Sequence, residues 1–124
     1  MNLGRFLSAE PGRASAILEC TDIGDGCADL ELVDDESIVH VVAIPSERAP
    51  IAAALRAMAE LARAEGGESP TKRVIPVGRT ALVGIHATLH RVSVHVGGDR
   101  AELVVSYVQL EPADAEALAA ALDG

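Results

Sequence analysis

The chain has 124 residues, a formal net charge of -9 and 49% hydrophobic residues, with Phe6 and Tyr107 as its only aromatic side chains apart from four histidines. That length suits one domain, the Val, Ile and Leu content excludes a disordered chain, and the acidity argues against a protein that coats nucleic acid or anionic lipid. A core built almost wholly from Ala, Val, Ile and Leu is implied.

The first residues, MNLGRFLSAE, lack the basic start and continuous apolar stretch of a secretory signal. No apolar run approaches the ~20 residues of a membrane helix. The expectation is a soluble cytoplasmic protein that does not enter the membrane. Cys20 and Cys27 are too few for a disulfide framework and fit neither a CxxC redox pair nor a zinc knuckle, so they read as free thiols.

In chain order, a first strand is expected around Arg5 to Ser8, then Ala16 to Thr21, a turn at Ile23 to Gly26 (IGDG) and a return strand from Ala28 to Val33. The near-continuous apolar run from Ile38 to Ile44 predicts a central strand covered on both faces. A helix follows from about Ser46 to Glu65, with Ser46 as N-cap and Gly66-Gly67 as its stop. Its apolar stripe is Ile51, Leu55, Met58 and Ala62, opposite Arg56, Glu60 and Arg63. Eight alanines between Ala49 and Ala64 make it slim. Pro50 sits awkwardly in it, since proline past the first turn removes a helical hydrogen bond.

After a GGESPTK linker the succession repeats. Strands are expected at Arg73 to Val77, at a sheet edge because of Pro76, then at Thr80 to Ile85, Leu89 to Val96 and Ala101 to Leu110, with a turn at Gly97 to Arg100. A final helix from Pro112 to Leu122 faces Ala115, Leu118, Ala119 and Leu122 inward. The fold class is α+β, a largely antiparallel sheet structure with two helices in one domain, and the pattern suggests a duplicated ββββα unit over residues 1–66 and 70–124.

Charge is uneven. Residues 1–40 carry two Arg against nine Asp and Glu, whereas residues 67–100 carry Lys72, Arg73, Arg79, Arg91 and Arg100 against Glu68 and Asp99. The acidic residues Asp22, Asp25, Asp29, Glu31, Asp34, Asp35 and Glu36 do not follow calcium-loop spacing and belong to opposite ends of a strand, as a solvated negative edge would. Along an extended chain His86 and His90 share a face about 13 Å apart, and His95 points to the other face, so no closed metal site is expected. His40 lies on a separate strand. Arg91, Ser93 and His95 should form a polar outer stripe backed by Val92, Val94 and Val96.

The sequence contains no GxSxG, HExxH, Walker A or strand-borne GxGxxG motif, so an enzyme is not expected, and no cofactor is implied. The leading expectation is a non-catalytic protein-interaction domain of adaptor, chaperone or inhibitor type, homodimeric, with a further protein partner. Lys72, Arg73, Arg79, Arg91, His95, Arg100 and Tyr107 are the candidate binding residues. The order of two ββββα units, ending VVAIPSERAPIAAAL and VSYVQLEPADAEALAAAL, resembles in topology the Whirly family of single-stranded DNA-binding proteins and more distantly PC4-like cofactors. That resemblance implies a single-stranded nucleic-acid-binding alternative using the basic segment 72–100, which the net charge disfavours. A metal or small-ligand role through His and Cys residues is the remaining alternative.

Overall fold

The computed structural model describes residues 1–12, 15–99 and 104–123. Among the described residues eight strands and two helices follow in the order β1 (Asn2–Leu7), β2 (Ile17–Gly24), β3 (Cys27–Val33), β4 (Ile38–Ala43), α1 (Pro45–Arg63), β5 (Arg73–Val77), β6 (Ala81–Thr88), β7 (Arg91–Asp99), β8 (Val104–Leu110) and α2 (Pro112–Asp123). They form two four-stranded antiparallel sheets, β1-β2-β3-β4 and β5-β6-β7-β8, each followed by a helix. The α+β class and the repeated ββββα order are therefore present in the molecule.

Alternation of side chains fixes which face of each sheet is buried. In the first sheet Phe6, Leu18, Cys20, Ala28, Leu30, Leu32, Val39, Val41 and Ala43 point inward. In the second, Val83, Ile85, Ala87, Val92, Val94, Val96, Val108 and Leu110 do so, and both sets join one continuous core with α1 and α2. Burying each large aliphatic side chain stabilises the fold by about 1.5–3 kcal/mol, so numerous aliphatics replace the missing aromatics.

Helix α1 braces both halves. It buries Ile51, Ala52, Ala54, Leu55, Met58, Ala59 and Ala62, a wider surface than a single stripe, and packs on α2 as well as on both sheets. Its alanines allow that close approach. Helix α2 buries Ala115, Leu118, Ala119 and Leu122, the four residues its periodicity predicts.

The helix begins earlier than Ser46. Ile44 is the N-cap and Pro45 the first helical residue, where its fixed φ is favourable and its missing N–H is not needed. Glu47 completes the start by accepting the Ile44 N–H at 3.0 Å, and its other oxygen accepts the Gly78 N–H at 2.8 Å. The next residue, Arg48, also crosses between halves, donating to the carbonyls of Leu122 (2.8 Å), Ala121 (3.2 Å) and Gly26 (2.7 Å). A guanidinium suits this role because it is a permanent cation with five donors, placed here on the last carbonyls of α2. Arg56 with Asp123 and Arg63 with Glu116 add ion pairs between the helices, so two of the three residues expected to face away from the core reach instead to α2.

Strand β4 is a sheet edge and not a central strand. Val39, Val41 and Ala43 are buried, while Ile38, His40 and Val42 are exposed. Apolar residues on its outer face made the run look continuous. Strand β5 is an edge, as Pro76 requires. Strand β7 continues through Gly97 to Asp99, paired with Val104, where a turn was expected, and Arg100 lies outside the described residues.

Candidate functional site

The chain between β6 and β7 reverses in two residues. Leu89 and His90 both adopt positive φ, 51° and 63°, the mirror-image turn that matches the twist of a hairpin. Glycine or asparagine ordinarily fills such positions, and here other contacts hold the turn. The His90 N–H donates to Gly67 O at 3.1 Å, and its Nδ1 lies 3.1 Å from Ala62 O at the end of α1. Gly67 must lack a side chain, since a β-carbon there would fall 2.2 Å from His90 Nδ1.

This reversal overturns the expected placement of the histidines. Pairing of Gly84 with His95 and of His86 with Ser93 puts His86 and His95 on one face as diagonal neighbours. Their rings stack with centroids 5.3 Å apart and planes 27° from parallel. His95 also pairs with Tyr107 on β8, and those rings stack at 5.4 Å and 25°. Three rings from three strands thus form a row across the outer face of the second sheet. His90 stands apart at the turn, and His40 is on the first sheet, its Nδ1 2.9 Å from Asp29 Oδ1.

The expected polar stripe is in place, with Arg91, Ser93 and His95 outward and Val92, Val94 and Val96 buried inward. It is more enclosed than a solvated surface: Ser93 is 2% and Gln109 8% exposed. Arg91 approaches Gln109 Oε1 at 3.4 Å. The loop after β1 closes the β8 margin, with the Ala9 N–H donating to Gln109 O at 2.7 Å and the Tyr107 hydroxyl to Glu10 Oε1 at 3.2 Å. At the other end of the row the Lys72 stem crosses Gly84, where an added β-carbon would come within 2.7 Å of Lys72 Cδ. Arg73 and Arg79 are exposed near β5.

Electrostatics follow from this enclosure. Burial, and then the Lys72 charge, lowers the pKa of His86; the same two causes, followed by His86 itself, lower His95 to about 4. Among the described residues His86 Nδ1 and His95 Nε2 are buried without a hydrogen-bond partner. Among the described residues no group of three or more His, Cys, Asp or Glu side chains is arranged to hold a metal ion.

The acidic residues divide between opposite ends of β3, where they organise turns. Asp22 accepts the Gly24 N–H at 2.9 Å beside the Asp25-Gly26 turn. Asp34 accepts the N–H groups of Glu36 and Ser37 and the hydroxyls of Ser37 and Ser106, which holds its carboxyl well below the usual carboxylate range. Cys20 is a free buried thiol pushed up to about 11 by burial, and Cys27 is a free half-buried one.

The outer face of the first sheet is different in kind. Cross-strand pairing aligns Leu7, Ile17, Val33 and Ile38 in an apolar row spanning all four strands, with Leu7 58% and Ile38 68% exposed. A parallel row holds Arg5, Glu19, Glu31 and His40. Neither row is legible from any one strand, because each depends on register.

No helix among the described residues is long and apolar enough to cross a membrane. Comparison with protein-family models, curated proteins and solved structures finds no match for this chain.

Proposed function

We propose that this chain is a non-catalytic protein-interaction domain that works as a homodimer, joined through the outer face of its first sheet. The carrying observation is the four-strand apolar row Leu7, Ile17, Val33 and Ile38, open to solvent at both ends. Contiguous exposed apolar surface of this kind marks association sites. A second copy fits by symmetry. A two-fold axis parallel to the strands lays β1 over β4 of the other copy, so the row returns onto itself, Leu7 opposite Ile38 and Ile17 opposite Val33. The neighbouring charged row is two acids flanked by Arg5 and His40, and its self-apposition brings Glu19 towards Glu31. Association should therefore strengthen as salt screens that repulsion, the reverse of nucleic-acid binding, which salt weakens steeply.

Light scattering across concentration and salt tests the reading. The expected result is a dimer that tightens between low and high salt and becomes monomeric in Ile38→Glu and Leu7→Glu, with unchanged circular dichroism because both side chains are exposed. A native protein that stays monomeric at several hundred micromolar, or a dimer indifferent to both substitutions, overturns it. The proposed dimer leaves the second sheet's outer face available to a further protein or ligand.

A further inference from the structure

We infer that Lys72, His86 and His95 form a binding site for a tetrahedral phosphate-type oxoanion on the outer face of the second sheet. Three independent observations converge there. First, the hairpin turn and the register bring two imidazoles from adjacent strands into one stack, with His86 Nδ1 and His95 Nε2 both buried and unpartnered among the described residues. Buried polar nitrogens left without a hydrogen bond are destabilising, and a ligand that satisfies them recovers that free energy.

Second, Gly84 leaves room for the Lys72 stem to lie across the sheet beside His95, since an added β-carbon would meet Lys72 Cδ at 2.7 Å and His95 Cβ at 3.6 Å. The lysine itself is exposed, and its flexible stem can lift to admit a ligand without moving backbone.

Third, among the described residues the charges that shift the two rings have one sign. Lys72 opposes protonation of both, and His86 opposes that of His95. The carboxylate in this row, Glu10, lies at its far end on the Tyr107 hydroxyl, while Arg91 is directed to Gln109. A cation is thus repelled by Lys72 and finds two imidazoles at most. An oxoanion instead meets a permanent ammonium and two rings able to become donors, one donor for each of three oxygens. Bound anion favours the charged imidazolium, so ligand and protons bind together.

The test is a titration of the full chain with inorganic phosphate, following the ring C–H signals of all four histidines by NMR, with sodium chloride at matched ionic strength as control. Saturable shifts confined to His86 and His95, with their protonation midpoints rising by a pH unit or more, are expected. His40 and His90 serve as internal references. Lys72→Met, at an exposed position that leaves the core intact, should weaken binding at least tenfold, and Lys72→Arg should restore most of it. Shifts no larger than with chloride, equal shifts at all four histidines, or stoichiometric zinc held by the pair in preference to phosphate would overturn the assignment. The site does not depend on the dimer: Ile38→Glu should retain phosphate binding.

Discussion

The two halves share a plan, four antiparallel strands feeding a proline-led helix, yet show solvent opposite surfaces. The first sheet turns outward a row of aliphatics beside a charged row, whereas the second encloses imidazoles, Ser93 and Gln109 behind a loop and a lysine stem. The inward faces are much alike, mostly Val, Leu and Ala in both, with Phe6 and Cys20 added in the first and Ile85 in the second. Inner faces carry the burial that makes the fold, so they are constrained alike, while outer faces can diverge in chemistry without altering the scaffold.

The largest effect on this comparison should come from cutting the tie between halves. Arg48→Met removes three carbonyl contacts shared among α1, α2 and the β2–β3 turn. It should lower the unfolding free energy in urea by roughly 3 kcal/mol, since hydrogen bonds to a charged group are worth about 1.5–3 kcal/mol and do not add fully. Arg48→Lys should recover only part, as an ammonium cannot span the same three acceptors.

Next in size is the pH response of the second sheet. His86 and His95 have folded pKa values below the unfolded 6.5, so the unfolded chain takes up protons first as pH falls. Their contribution is complete above about 6.5 and is lost as pH falls below it, in the case of His95 towards about 4. The midpoint of thermal unfolding should fall over that window, and His95→Phe, which keeps a stacked ring and discards the titration, should flatten the fall. The Asp34 contribution has its own, more acidic window, because a depressed carboxylate begins to lose its stabilisation as pH falls into the ordinary carboxylate range and goes on losing it below.

The smallest expected change distinguishes the two hairpins. Asp25-Gly26 on the first sheet follows the usual residue preference for positive φ, and Leu89-His90 on the second does not. Leu89→Asn should stabilise the protein by about 0.5–1 kcal/mol in urea, because left-handed backbone is costly for a leucine that is also 62% exposed. An unchanged or lowered stability would mean that the leucine makes a contact outweighing its strain.

That same turn shows why part of the molecule was legible in sequence and part was not. Ala115, Leu118, Ala119 and Leu122 repeat at helical spacing, and Pro76 marks an edge, so local chemistry announces both. Residues 89–90 carry no turn signature. Reading them as extended chain sends His95 to the wrong face and conceals the ring stack with His86, while Tyr107 joins it only through the β7–β8 register. Strand β4 misleads in the opposite way, because Ile38 and Val42 look like core residues but lie on the open face. Arg48 was unremarkable in sequence, since its three acceptors are backbone carbonyls far along the chain.

Glu47 and Arg48 occupy one turn of α1, and each reaches across the repeat boundary, to Gly78 and to the end of α2. A polypeptide of just one repeat would leave that turn only its Ile44 and Gly26 partners, and one flank of its alanine-rich rod wet.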